Sequence, residues 1–443
     1  MKRAEGAAPG EARAKGPSTA DILRADKLSG PAPLLEERPE FLGDEDIDFT
    51  RYTSRAFFDR EIESLWPRAW QWACREEHLQ EVGDNYVYEV GPYSVIVIRS
   101  AEDRIQAFLN SCTHRGTKLL AGEGSGYCAA FTCPFHGWAF ELDGSVKNIP
   151  ARWDFPHASD ETHRLTEIPC ELWGGFVFIN MDRDARPLVE YLDVLPEHFA
   201  HFPLEKRRIK VHVQKILPAN WKTAQEAFME AYHSVETHNA PNGANAQYDI
   251  FGKYVSRFVH NFWYHSTEAL EDYQTDRFRE MPPTEDSASA RAQSAQGLRE
   301  QLGAASGVDL SDVSDSLMQD SIEYHLFPNM FLFPGILLPM IYRFRPYDDS
   351  VDKCIFDVLL LEPVPEGQPF PEAPEPIRLD VDQSYTEAEG LGFLGAVYDE
   401  DTSNLDSQQK GFKTSGRGAG TLGNYQESRL RRLNLTLDEF LDS

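Results

Sequence analysis

Residues 110–138, NSCTHRGTKLLAGEGSGYCAAFTCPFHGW, decide how the rest of this 443-residue chain is to be understood. The segment contains Cys112-Thr-His114 and Cys133-Pro-Phe-His136, each run pairing one thiol with one imidazole. A two-iron, two-sulfide cluster of the Rieske type needs that mixture, with two thiolates on one iron and two imidazoles on the other. Neutral imidazoles in place of two thiolates remove negative charge, so such a cluster accepts an electron more readily than an all-Cys centre. Zinc fingers usually place a Cys pair before a His pair, or use CxxC knuckles twice; here the ligand types alternate. Gly116 and Gly137 follow the two pairs and mark turns, and Pro134 removes a backbone donor and fixes its loop tip. Cys112, His114, Cys133 and His136 are the expected cluster ligands, with zinc or coincidence as the bland alternatives.

A chain of this length has room for two or three domains with substantial cores. Hydrophobic residues make up 41% of it and aromatics 12%, enough for most of it to fold. The net charge of −29 argues against nucleic acid or an anionic membrane as partner, because either would repel the surface. Six cysteines occur, and those outside the motif, Cys74, Cys128, Cys170 and Cys354, show no disulfide-framework spacing. Cys128 is expected as a small buried hydrophobe. The first residues lack the apolar core of a secretory signal, and no apolar run is long enough to span a bilayer, so the expectation is a cytoplasmic protein.

The composition changes along the chain. Residues 1–40, rich in Ala, Gly, Pro and charge, are expected to be a flexible tail. Residues 41–67 form an N-terminal helical segment expected to pack on the catalytic domain; the helical pattern runs from Thr50 to Trp72 with Phe57, Phe58, Ile62 and Leu65 on one stripe. Short strands follow at 86–90, 94–98, 105–109, 139–142 and 176–179, with Asp143-Gly144 as a hairpin signal, which makes 68–185 a small all-β cluster domain. Residues 186–443 are expected as a larger domain. It opens with a helix from Asn220 to about Val235, continues with strands at 254–264, 330–333, 340–345 and 354–362, and ends in a helix over 425–441. Residues 282–312 are a polar insertion, read as an inserted helix or mobile loop, and 363–376 is too rich in Pro for regular structure. The order of elements defines an α+β fold.

A second metal site is indicated by Glu230-Ala-Tyr-His233-Ser-Val-Glu-Thr-His238. Two imidazoles with a carboxylate suit ferrous iron and leave coordination positions open. In an ideal helix, five residues turn about 140°, which points His233 and His238 apart. A π-bulge, or a helix break after Ser234, would bring them together. Two His at this spacing are otherwise more often surface or core residues.

With these motifs in view, the chain from about Phe57 onward resembles the large (α) subunit of a Rieske non-haem iron oxygenase, of the aromatic ring-hydroxylating oxygenase superfamily. CTHRG and CPFHGW match the family's cluster loops, and NWK at 220–222 followed by EAFMEAYHSVETH matches its iron-site helix. The resemblance implies a catalytic domain with an antiparallel sheet surrounded by helices (helix-grip, START-like). It implies His233 and His238 as iron ligands, and a downstream carboxylate as the third; Asp399-Glu-Asp401-Thr-Ser-Asn404-Leu405-Asp-Ser-Gln408 fits with Asp401 in register, within three adjacent acids whose bland reading is a solvated loop. It also implies Glu230 as an inter-subunit electron-transfer bridge, where ring dioxygenases usually carry Asp and some quaternary-amine members carry Glu. Glu226 lies where the family often has Asn or Asp, and its role stays open.

The implied cofactors are a [2Fe–2S] cluster and a mononuclear Fe(II), with NAD(P)H acting indirectly through a reductase, with or without a ferredoxin; the chain shows no dinucleotide fingerprint of its own. The implied assembly is a head-to-tail homotrimer, alone or with a small β subunit (α3β3). The expected activity is mono- or cis-dihydroxylation of an aromatic or other hydrophobic compound by O₂. The alternatives are an oxidative demethylase or quaternary-amine monooxygenase, and a non-enzymatic electron carrier. Phe228, Met229, Phe331–Pro334 and Leu337–Ile341 are candidate pocket residues, with 282–312 capping the mouth.

Overall fold

The computed structural model describes residues 8–238, 246–261, 287–365 and 367–442. The first β region is built from three antiparallel sheets. A five-stranded sheet has the order Glu167–Ile168, Arg104–Leu109, Tyr93–Ala101, Asp84–Val90, Gly124–Tyr127. A second sheet joins Cys170–Trp173, Phe176–Ile179 and Gln71–Arg75, and a third joins Phe131–Thr132, Ala139–Phe140 and Val146–Asn148. Asp143-Gly144 makes the expected hairpin: Asp143 accepts the Ser145 N–H at 3.0 Å, and Gly144 sits at φ +81°, where a Cβ would meet the Phe108 ring at 2.7 Å. Only Gly fits that turn.

The second region is one eight-stranded sheet in the order Gln247–Phe251, Val255–His260, Ser321–Leu326, Met330–Leu332, Met340–Pro346, Cys354–Pro363, Arg207–Leu217, Ile377–Leu379. Every pair is antiparallel except the last. Its strands are buried along nearly their whole length because helices and the β region cover it. The C-terminal helix Ser428–Asp442 lies across it, with Leu430, Leu433 and Leu437 buried.

The two regions are fastened by buried charge. Asp357, fully buried, accepts from Arg343 Nε at 3.0 Å and contacts His212 Nε2 at 3.0 Å. Arg343 then donates to the Trp72 and Ala73 carbonyls and Arg345 to the Glu89 carbonyl at 2.6 Å, and Arg345 forms an ion pair with Glu123 at 2.5 Å. Burial opposes the Asp357 carboxylate, but the two guanidinium groups outweigh it and hold its pKa well below the ordinary range.

Four expectations need correction. The 1–40 segment is not a flexible tail over its second half. Ser18 caps the helix Thr19–Ala25, whose Ala20 and Leu23 are fully buried, and Leu34 is buried as well. Ile250 N–H donates to the Arg38 carbonyl and Arg38 N–H to Asp249, so this segment covers an open edge of the large sheet. A few apolar residues and the satisfied edge outweigh a composition that reads as disordered. The single helix expected over 50–72 is two, Thr50–Thr53 and Arg55–Ser64, because Ser54 leaves the helix and caps the second with its hydroxyl on the Phe57 N–H. The helix expected from Asn220 to Val235 stops at Glu226. The strand expected over 254–264 runs Val255–His260, and 262–264 lie outside the described residues.

In the insertion, Ser287–Ser306 is a helix. Arg291 pairs with Asp26 and Asp320, and Arg299 with Asp315, all buried, which fixes the helix against the N-terminal segment. Among the described residues, no helix is long and apolar enough to cross a membrane.

Candidate functional site

The two cluster loops share one hydrogen-bond pattern. Cys112 N–H donates to the Thr117 carbonyl and Gly116 N–H to the Cys112 carbonyl; Cys133 N–H donates to the Trp138 carbonyl and Gly137 N–H to the Cys133 carbonyl. Each loop turns back through a glycine with positive φ, +78° at Gly116 and +73° at Gly137. That is why Gly occupies the fourth position after each Cys. The turns leave Cys112 and Cys133 buried at 2% exposure, with His136 at the surface and His114 partly covered by Trp138, on which it stacks at 4.9 Å. The imidazoles face each other at 4.8 Å. Burial resists ionisation of Cys133, but the N–H groups of Phe135 and His136 outweigh it and hold that thiol below its usual range. Two inner thiols ringed by N–H donors and two outer imidazoles fit a mixed-ligand [2Fe–2S] cluster.

The second centre depends on the interrupted helix. Asn220 caps Trp221–Glu226, accepting the Lys222 N–H, and the residues of NWK anchor this helix rather than touch a metal. Lys222 Nζ lies 2.5 Å from Glu61 and Trp221 Nε1 donates to the same buried carboxylate. After Glu226 the chain unwinds. Its freed backbone groups are taken up elsewhere: Ala231 N–H by the Tyr248 hydroxyl at 3.0 Å, and the Met229 carbonyl by Arg429 Nη1 at 2.9 Å. A short turn of helix, Ser234–Thr237, then separates His233 from His238. The break precedes Ser234 instead of following it, and it removes the divergence of an ideal helix. The two rings stand 5.3 Å apart.

Asp401 arrives from the helix Leu394–Thr402, so the three acids lie on a helix and not on a solvated loop. Its Oδ1 is 2.7 Å from His238 Nε2 and 3.3 Å from His233 Nε2, and one ligand atom from each of the three lies within 4.8 Å of the others. The other ring nitrogens are held by carboxylates. His233 Nδ1 contacts Glu230 Oε1 at 2.7 Å, and His238 Nδ1 contacts Glu400 Oε2 at 2.7 Å. Both Nε2 atoms therefore point inward, as a metal site requires. Burial works against charge on His233, but Asp401 and Glu230 outweigh it and lift its pKa to about 10, so the site favours a cation between these groups. Two imidazoles and one carboxylate, with open space on one side, fit the facial triad of a ferrous ion.

That open space is a cavity of about 380 Å³. His233, His238 and Asp401 form one end. Phe228, Phe333, Leu338, Met340 and Tyr342 line one wall, joined by Leu394, Val397 and Tyr398 from the Asp401 helix. Phe258, His260, Ser321 and Glu323, from two paired strands of the same sheet, complete the lining. Of the expected pocket residues, Phe228, Phe333, Leu338 and Met340 face the cavity; Met229, Phe331 and Ile341 are core. No residue of 287–312 lines it, and 282–286 lie outside the described residues.

Glu400, Glu323 and Tyr398 join the site without belonging to any of its sequence motifs. Glu400 follows from its neighbour Asp401, and Tyr398 from lying three residues before it on the same helix face. Glu226, whose role the sequence leaves open, accepts from the Tyr52 hydroxyl at 3.0 Å and from Asn434 at 3.1 Å, tying both termini together. The buried glutamine after Asn404-Leu405 is Gln409, which accepts the Asn220 N–H; Gln408 lines a second cavity, of about 350 Å³, that also touches Glu230 and His233.

The fold and this pair of sites define a cluster-bearing β module joined to a mononuclear-metal domain with a substrate-sized cavity. A model of the Rieske [2Fe-2S] domain matches residues 69–158, and a model of the ring hydroxylating alpha subunit (catalytic domain) matches 197–443, more than half of the chain. The chain belongs to the family of Rieske-type ring-hydroxylating oxygenase α subunits. It is 30% identical over 189 residues to the carnitine monooxygenase oxygenase subunit of Escherichia coli, covering 42% of this chain and 50% of that protein. It is 31% identical over 213 residues to the biphenyl 2,3-dioxygenase subunit alpha of Rhodococcus jostii, covering 46% and 45%. The chain thus spans about half the length of the curated relatives it matches. Among solved structures, the quaternary ammonium Rieske monooxygenase CntA with L-carnitine superposes with TM-score 0.63 at 19% identity, over 91% of this chain and 99% of that one. A naphthalene 1,2-dioxygenase with phenanthrene bound gives TM-score 0.65 at 17% identity, over 91% and 94%.

Proposed function

We propose that this chain is the terminal oxygenase component of a redox system. It takes electrons that an NAD(P)H-dependent reductase supplies, directly or through a ferredoxin, and uses O₂ to hydroxylate an aromatic or other hydrophobic compound. The observation that carries this reading is the largely apolar cavity ending on His233, His238 and Asp401. In it, Cys112, His114, Cys133 and His136 hold the [2Fe–2S] cluster, and His233, His238 and Asp401 hold a ferrous ion. When bound, these groups supply one-electron storage and dioxygen activation.

The residues around them set the geometry. Glu230 and Glu400 fix the two rings so that each offers Nε2, and the apolar wall keeps bulk water from the reacting side. Glu230 is 10% exposed and also borders the second cavity, to which no residue of 69–185 contributes. This supports a head-to-tail assembly in which the cluster of a second copy reaches Glu230. The solved CntA relative is itself described in terms of inter-subunit electron transfer.

A second reading, oxidation of a quaternary amine, is favoured by Glu230 and by the aromatic side chains around the cavity. Iron analysis and turnover test the site assignment. About three Fe per chain are expected, falling to about two in His233→Ala with the cluster absorption kept and turnover lost. Full turnover in that variant overturns the assignment. Incorporation of ¹⁸O from ¹⁸O₂ into an arene, in preference to a trimethylammonium compound, separates the two readings.

A further inference from the structure

One buried carboxylate in the cavity lining bears on the substrate. Glu323 stands beside Phe258, its cross-strand neighbour, and is 2% exposed. Behind it lies Arg429, fully buried, with Nη2 2.8 Å from Glu323 Oε1. Arg429 is otherwise engaged by the Ser256 hydroxyl at 3.1 Å and the Met229 carbonyl at 2.9 Å, so it is fixed from below by the sheet and the unwound segment. Burial pushes Glu323 up and pulls Arg429 down, while their contact opposes both. Above about pH 8 the pair is ionised, because a guanidinium does not give up its proton in a protein and a lone buried one would be far costlier than the pair. Glu323 lines the cavity, and its second carboxylate oxygen, Oε2, accepts no hydrogen bond from any described residue.

We propose that Glu323 Oε2 accepts a hydrogen bond from the substrate, so that the cavity takes a flat apolar body bearing one neutral N–H or O–H donor. This rests on the cavity being the substrate site. The chemistry selects the donor over a cation. Arg429 already balances the Glu323 charge, so the wall offers a quaternary ammonium group little attraction, and that group has no N–H to give. What remains unused is acceptor capacity. A substrate that fills the cavity without a donor strips water from Oε2 and leaves it unsatisfied, which is the costly case for a charged acceptor. The aromatic wall positions the ring, and Glu323 fixes which edge of it faces the metal end.

Three probes of similar size decide the matter: indole, indene (the same shape with CH₂ in place of N–H) and phenyltrimethylammonium. Their binding is measured calorimetrically on anaerobic holoenzyme, where no turnover occurs, at a pH above about 8 so that Glu323 carries its charge. Indole is expected to bind about tenfold or more tighter than either of the others. In Glu323→Gln, Arg429 draws the amide oxygen toward itself and the NH₂ group turns to the cavity, so the indole-to-indene ratio falls to about one or below. The cluster absorption reports whether the variant is folded; if it is not, the wild-type series still decides. Equal affinities for indole and indene, tightest binding of the cation, a folded Gln variant with an unchanged ratio, or no binding of indole overturns the proposal. Because binding is read without oxygen, an indole preference in an enzyme that oxidises no arene would refute the arene-hydroxylating reading and leave the role of Glu323 standing.

Discussion

Both oxygens of Glu230 are engaged by one histidine, the His233 ring at 2.7 Å and its backbone N–H at 2.9 Å. The same carboxylate thus orients the ring and holds the backbone just ahead of the short turn that separates His233 from His238. Glu230→Gln can offer an oxygen to only one of these donors. Turnover is expected to fall by about 10- to 100-fold with the cluster absorption unchanged, as measured by oxygen uptake beside the visible spectrum. Glu226 behaves differently because it is a buried acid with no charged partner in contact. Burial pushes its pKa up to about 7, with Tyr52 and Asn434 only partly offsetting this. The folded state therefore holds more protons than the unfolded chain between the ordinary carboxylate range and about 7, and stability is lost as pH rises through that window. Glu226→Gln keeps the acceptor oxygen and removes the charge. It is expected to stabilise the protein by about 1–3 kcal/mol at about pH 8 and by less at about pH 5, seen as a pH-dependent gain in melting temperature.

At the scale of elements, the paired cluster loops use the same ladder of backbone hydrogen bonds, each closed by a glycine in left-handed conformation. A Cβ on Gly137 would meet only Pro150, at 3.5 Å, so the constraint there is conformational and not steric. Gly137→Ala is expected to cost about 1–2 kcal/mol and lower cluster occupancy, and Gly137→Asn to recover part of both, as read by the ratio of visible to protein absorption. These loops were legible because ligands, turn residues and spacing all fall within a few positions of one another. The interrupted helix was half legible. The five-residue spacing of the two histidines required a break, but its position depends on Tyr248 and Arg429, which reach the freed backbone from other elements. The docked N-terminal segment was not legible, since its partners, Asp249 and Ile250, lie more than two hundred positions away. The same non-locality hid Glu323, whose meaning comes from Phe258 across the sheet and Arg429 beneath it.

For the whole molecule, the question is how the two centres meet. Neither cavity beside His233 includes a residue of the cluster module. If electrons pass between copies, a chain with a disabled cluster and a chain with a disabled iron site should complement each other. Co-expressed His136→Ala and Asp401→Ala chains are expected to regain a measurable fraction of wild-type turnover in mixed oligomers, while each variant alone has none. Oxygen uptake by the purified mixed species gives the answer, and a mixture as inactive as its parents would place transfer within one chain.

The buried arrangement of Asp357, Arg343 and Arg345 has a bearing on kinetics. It joins the cluster module to the catalytic sheet at Trp72, Ala73 and Glu89, which opposes a swing of the module toward the iron. If electrons pass between copies, the acceptor comes to the cluster and not the cluster to the acceptor. Specific activity then becomes a function of how crowded the chains are: dilution alone should act like an inhibitor, silencing the protein with both of its metal centres fully loaded.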